Sequence, residues 1–169
     1  VQYIGVADDG NQFYFAQEFV AGGDLAQHVR AKGCRLEEPE AKAIMLQVMT
    51  GMAHVHSKKV VHRDIKPANI LLQKDHDGNV INAKITDFGT SLPFHQKFAH
   101  AIGTTDYMSP EMYDGFNMPQ IDIWACGAMF YQLVVGDLPF DGNNYHFLWD
   151  NLPDINLTEE LKTLIPHML

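Results

Sequence analysis

Asp64, Lys66 and Asn69 stand within six residues of one another in the run His62-Arg63-Asp64-Ile65-Lys66-Pro67-Ala68-Asn69-Ile70-Leu71-Leu72. Eighteen residues after Asn69 comes a second carboxylate, Asp87, in Asp87-Phe88-Gly89. Two carboxylates and an amide carried on neighbouring strand ends form an oxygen-rich donor set of the kind that suits Mg²⁺, a hard cation. Read singly, each residue has a structural explanation. Asp64 could be a solvated or salt-bridged loop residue, Asn69 a turn or cap residue, and Asp87 a strand-end turn. The weight lies in their joint occurrence.

The elements that must position these side chains are legible around them. Val60-Val61 and Ile70 to Leu72 are β-like, so the polar run between them is a loop clamped at both ends by buried strands, a stiff mount for reactive groups. A further strand, Val80 to Thr86, leads into Asp87, and Asp77-Gly78-Asn79 reads as the hairpin turn before it. Upstream, Asp8-Asp9-Gly10-Asn11 is a turn cluster between β-like runs over 1–6 and 12–18, which predicts a hairpin. Ala21-Gly22-Gly23 ends the second run, and Asp24 is placed to cap a short helix through about Ala31. Pro39, preceded by Glu37 and Glu38, fits the first turn of a long helix. Its apolar residues Ile44, Val48, Met52 and Val55 share one face. From Pro110 onward the pattern is helical, with breaks at Gly136 to Pro139 and at Pro153, and the last apolar-periodic segment is Leu161 to Leu169. Repeats, low-complexity segments and linkers are absent.

Composition bounds the function classes. The 169 residues allow one domain, and 46% apolar with 20% charged residues fits a folded globular chain. A net charge of −9 argues against nucleic acid or an anionic membrane as the main partner. Cys34 and Cys126 form neither a disulfide framework nor a metal-ligand spacing, which predicts a reducing, intracellular and cytoplasmic setting. The longest apolar stretch, Ile123 to Val135, is interrupted by Gln132 and is too short to span a bilayer. The histidines show no H-E-x-x-H or comparable spacing.

Residues 62–72 resemble the H-R-D-x-x-x-x-N catalytic loop of protein kinases, and residues 87–89 the D-F-G motif. Ser109-Pro110-Glu111 resembles the A-P-E segment with Ser for Ala, and Asp122-Ile123-Trp124-Ala125-Cys126-Gly127 resembles the D-x-W-x-x-G helix. The motifs keep the family order over residues 62–127. The resemblance implies an α+β protein-kinase-like fold, with a mainly α-helical C-terminal lobe, short β-hairpins and an N-terminal lobe largely absent. Residues 1–20 would be the last N-lobe strands and hinge, and 21–169 the C-lobe.

It also implies roles. Asp64 would accept the proton of the substrate hydroxyl, and Lys66 would neutralise the transferred phosphoryl group. Asn69 and Asp87 would hold Mg²⁺ on the phosphates of ATP, and Thr104 would bond the Asp64 and Lys66 side chains. The backbone at Glu18 and Val20, in Gln17-Glu18-Phe19-Val20, would bond adenine, Asp24 would contact ribose, and Leu71 would pack under the base. Asp122 would accept bonds from the catalytic-loop backbone. Lys66 and Thr104 together match the Ser/Thr pattern, so the expected partner is a protein or peptide bearing Ser or Thr. The pattern from Asp122 through Phe140 resembles calcium/calmodulin-dependent and related kinases. Where many basophilic kinases carry Glu, this sequence has Ala68 and Gln132.

No G-x-G-x-x-G, V-A-I-K lysine or partner helix glutamate occurs in the sequence. Both ends look cut, at Val1 and inside the last helix, so the chain by itself is expected to be inactive. A catalytically competent kinase and a non-catalytic pseudokinase or scaffold module are both compatible with such a segment. The four intact residues Asp64, Lys66, Asn69 and Asp87 favour the first, and the Gly103 to Glu111 segment disfavours a small-molecule kinase. Between Ser91 and Thr104 there is no Ser, Thr, Tyr, Asp or Glu, and His100 stands where the phosphosite is usual. The segment is therefore expected to be ordered without phosphate, by Leu92, Phe94 and Phe98 or by a regulatory partner or flanking domain.

Overall fold

Asp24 opens the first helix as the sequence predicts. Its Oδ1 accepts the Gln27 N–H at 2.8 Å, satisfying one of the donors that a helix N-terminus leaves open. The computed structural model describes residues 1–97, 103–140 and 157–169. The helices are α1 (Leu25–Ala31) and α2 (Glu38–Ser57), which follow the first two strands, and α3 (Pro110–Tyr113), α4 (Pro119–Val135) and α5 (Glu159–Met168), which follow the last four. The strands are β1 (Tyr3–Asp8), β2 (Phe13–Gln17), β3 (Val60–Val61), β4 (Ile70–Lys74), β5 (Val80–Ile85) and β6 (Leu92–Pro93). They form three separate antiparallel pairs, β1–β2, β3–β6 and β4–β5. This is the α+β, helix-dominated arrangement the sequence predicts.

Two boundaries differ from expectation. Asp8 belongs to β1 and pairs with Phe13, because its backbone stays in the ladder while its Oδ1 accepts the Gly10 N–H. The helical pattern after Pro110 is broken at Gly115, whose φ of +77° leaves the helical region. The predicted break at Pro153 lies outside the described residues, as do Phe98 and His100.

The main core joins α1, α2, β4, β5, α4 and α5. Ile44, Val48 and Met52 from α2 meet Met129 and Leu133 from α4, with Ile70 and Leu72 of β4 beside them. Helix α4 is apolar nearly all round and is buried accordingly. It ends at Gly136, φ +94°, whose N–H returns to the Gln132 carbonyl. A second, smaller cluster of Val61, Met108, Met112 and Ile121 lies below the catalytic-loop sequence, with Phe94 packed on it. Among the described residues, no helix is long and apolar enough to cross a membrane. No group of three or more His, Cys, Asp or Glu side chains gathers there as a metal cluster.

Candidate active site

Val61, which ends β3, and Ile70, which opens β4, are fully buried, so residues 62–69 run between two fixed points. At the centre lies Asp64, 9% exposed. Its Oδ1 accepts both the backbone N–H and the hydroxyl of Thr104 at 2.9 Å. Its Oδ2 lies 2.7 Å from Lys66 Nζ and accepts Asn69 Nδ2–H at 3.0 Å. Lys66 Nζ also donates to Thr104 Oγ1 at 2.6 Å, which closes an Asp64–Lys66–Thr104 triangle. Burial pushes the Asp64 carboxyl up, but the Lys66 ammonium and the two Thr104 donors outweigh it and hold it below the usual carboxylate range. Asp64 is thus an oriented carboxylate at neutral pH.

Asn69 donates to the Asp64 carbonyl at 2.8 Å as well as to its carboxylate. Both partners are acceptors, so the NH₂ faces Asp64 and Oδ1 is directed elsewhere. The β4–β5 register sets Ile70 opposite Ile85, and the Thr86 N–H donates to the Asn69 carbonyl at 3.0 Å. Asp87 is therefore the residue that follows Asn69's direct neighbour across the ladder. It has φ +62° and is exposed. Its Oδ1 accepts the Gly89 N–H at 3.3 Å.

The loop is held from behind. Asp122, in the first turn of α4 and 1% exposed, accepts the backbone N–H groups of His62 and Arg63, each at 2.9 Å. It also lies 2.8 Å from His56 Nε2. These bonds hold Arg63 at φ +72°, a left-handed conformation that a residue with a side chain keeps only when its surroundings impose it. Buried His62 accepts the Asp64 N–H on Nδ1, so Nε2 carries the proton that reaches the Thr86 carbonyl at 3.0 Å. Burial holds its pKa below the ordinary histidine value, against the opposing pull of the Thr86 bond and nearby carboxylates. One neutral imidazole therefore links the Asp64 loop to the Asp87 turn.

The predicted hinge residues lie along one edge. Backbones of Asp24 and Leu71 form an antiparallel bridge, and Leu72 N–H donates to the Gly23 carbonyl at 2.8 Å. The approach is so close that a Cβ on Gly22 would meet the Leu72 oxygen at 2.0 Å, which excludes any larger residue. Asp24 and Leu71, both half-buried, are thus brought together. The Glu18 side chain turns away to Lys84, 2.6 Å from its Nζ, and the Glu18 N–H is taken by the Gln2 carbonyl. At Glu18 the group left for a base is the carbonyl. The Val20 N–H donates to none of the described residues.

Residues 1–167 match the family described as Protein kinase domain. The chain belongs to the protein kinase family. It is similar to the SNF1-related protein kinase catalytic subunit alpha KIN12 of Arabidopsis thaliana, 34% identical over 179 residues. That alignment takes in all of this chain and 35% of the relative, so the chain spans about a third of the relative's length.

In this kinase domain several supporting residues were not singled out from the sequence. His56 on Asp122, Thr90 on the His62 carbonyl at 2.9 Å and Lys84 on Glu18 each act over a long separation. No local spacing signals such contacts. A residue type that can donate, set on the buried side of an element facing the loop, is the most a sequence could offer.

Proposed function

We propose that this chain is the phosphoryl-transfer core of a protein serine/threonine kinase, with residues 1–20 forming the hinge side and 21–169 the large lobe. The observation that carries the reading is the Asp64–Lys66–Thr104 triangle, with Oδ1 of Asp64 on Thr104 and Oδ2 on Lys66. In this reading a substrate Ser or Thr hydroxyl meets the Asp64 carboxylate, which orients the oxygen for in-line attack on the γ-phosphorus and accepts its proton. Lys66 lies close enough to Asp64 to stabilise charge on the phosphoryl group in flight. ATP would lie along Leu71 and Asp24, with adenine on the Glu18 carbonyl and the Val20 N–H.

Asn69 Oδ1 and the Asp87 carboxylate fit Mg²⁺, since one amide oxygen and one carboxylate, completed by phosphate oxygens and water, make a hard-ligand set. Bound there, the ion would neutralise phosphate charge. Lys66 with Thr104 favours Ser/Thr over Tyr as acceptor.

The test is Asp64→Asn in the full-length protein, scored by transfer of labelled phosphate from Mg-ATP to a peptide pool. Transfer is expected to fall at least about 100-fold while the unfolding midpoint shifts little. Near-normal turnover would sink the assignment.

A further inference from the structure

Asp87, Phe88 and Gly89 are exposed, while the residues that flank them, Thr86 and Thr90, are half-buried. The three form a bow standing on two feet. Asp87 has φ +62°, a left-handed backbone that an L-residue keeps where surrounding contacts hold it. What the feet are tied to therefore decides where the Asp87 carboxylate is presented.

The first foot is Thr86. Its N–H donates to the Asn69 carbonyl and its carbonyl accepts His62 Nε2–H, each at 3.0 Å. The second foot is Thr90. Its hydroxyl donates to the His62 carbonyl at 2.9 Å, and its own carbonyl accepts Arg63 Nε–H. Between the feet, the Phe88 ring stands edge-on to the His62 ring, centroids 4.8 Å apart. Both feet thus rest on His62 and Arg63, whose backbone N–H groups are pinned from behind by Asp122.

One of these ties depends on the residue type at position 90. The Arg63 bond reaches a main-chain carbonyl, which any residue there would offer. The bond to His62 needs a side-chain hydroxyl. His62 is fully buried, so a carbonyl deprived of that donor is not compensated by water. Ser91 Oγ approaches the same carbonyl at 3.4 Å, near the outer limit of a hydrogen bond.

We propose that Thr90 is a positioning residue for Asp87. Its hydroxyl clasps the far foot of the turn onto the His62 carbonyl and holds the Asp87 carboxylate for Mg²⁺ with no phosphate on the segment. The proposal rests on the kinase reading above and adds the residue that fixes one of its two metal ligands.

The experiment compares full-length wild type with Thr90→Val, which keeps the branched shape and deletes the hydroxyl, and with Thr90→Ser, which restores it. The first readout is amide hydrogen exchange over residues 86–91 in the nucleotide-free protein, with α2 as the internal reference. Thr90→Val is expected to speed exchange of the turn about fivefold, the equilibrium worth of one neutral hydrogen bond, and to leave α2 unchanged. Thr90→Ser is expected to stay within about twofold of wild type. The second readout is a KM split. KM for Mg-ATP is expected to rise about fivefold in Thr90→Val while KM for the peptide substrate holds within about twofold. The double variant Thr90→Val with Ser91→Ala removes both hydroxyls and covers takeover of the carbonyl by Ser91. Turn exchange unchanged in the double variant would overturn the proposal. So would equal effects of Val and Ser at position 90, or faster turn exchange with no change in the Mg-ATP KM. Absence of transfer by the wild-type protein would instead overturn the kinase reading, and the exchange comparison would still report whether the clasp holds the turn.

Discussion

The carboxylate of Asp122 accepts the backbone N–H of Arg63 at 2.9 Å across a separation of 59 residues. With its bond to the His62 N–H, it makes the buried helix α4 the template for the catalytic loop. Removing that carboxylate leaves two buried backbone donors and the His56 ring without their acceptor. In the full-length protein, Asp122→Ala is expected to lower stability by roughly 3 kcal/mol or more. Urea unfolding measures it, and a loss below about 1 kcal/mol would show that the loop holds its shape without Asp122.

Thr104 contributes two donors to one oxygen of Asp64 and accepts from Lys66. Thr104→Val keeps the backbone N–H but deletes the hydroxyl. The carboxylate and ammonium then lose their shared reference point, and turnover is expected to drop roughly 10- to 100-fold. Thr104→Ser restores the hydroxyl and should return most of the rate. Equal rates for the Val and Ser variants would contradict a positioning role.

His62 titrates in a direction that can be measured. Its pKa in the fold is lowered by burial from the ordinary 6.5, so it is neutral in the native state near neutral pH. As pH falls below about 6.5, the unfolded chain takes up a proton that the folded chain resists. Stability contributed by neutral His62 is present above that pH and is lost progressively below it. Denaturant unfolding from pH 7.5 to 5 should show this decline, and His62→Asn, which cannot protonate, should flatten it. Parallel curves for wild type and variant would refute the assignment.

Phe94 bears on how the segment after Asp87 is held. Its ring packs on Val61, Met108, Met112 and Ile121, with His56 edge-on at 6.0 Å and Lys59 Nζ 5.5 Å above it. On either side, β6 pairs with β3. The Asn117 side chain donates to the Pro93 carbonyl at 2.5 Å, and the His95 N–H donates to the Asn117 carbonyl at 3.0 Å. The start of this segment is thus tied down by apolar packing, hydrogen bonds to Asn117 and the Lys59 cation–π contact, none of which needs a phosphate. Phe94→Ala should cost about 2 kcal/mol for this half-buried ring and reduce activity, whereas phosphatase treatment of the wild-type protein should change activity little. A large loss on phosphatase treatment, traced by mass spectrometry to Ser91, Thr104 or Thr105, would decide against this account.

Much of the fold was legible because its signals are local. The Asp24 cap, Pro39 in the first turn of α2, the turn at Asp77-Gly78-Asn79 and the apolar stripe of Ile44, Val48 and Met52 each express a backbone or burial preference within a few residues. The pairing of β3 with β6 was not legible. Two-residue strands carry too little periodicity, and nothing in Leu92-Pro93 names Val60-Val61 as partner. The left-handed backbone at Arg63 and Asp87 was equally hidden. Neither residue is glycine, and at Arg63 the left-handed backbone is imposed by Asp122, 59 residues away.

From the sequence alone come the types and order of the groups: the carboxylates Asp64 and Asp87, the ammonium of Lys66, the amide of Asn69 and the strands and helices that carry them. These follow from covalent order and short-range preference, which a linear string contains. The tertiary structure alone decides that Asn69 joins Lys66 on one Asp64 oxygen and that His56 joins the catalytic-loop N–H groups on Asp122. It also decides that Phe94 caps the lower cluster and that Gln132 meets Tyr107 beside the catalytic loop. Each of these depends on the packing of α4 against α2 and the loop, a choice made by the burial of many apolar side chains together and not by any one stretch of sequence.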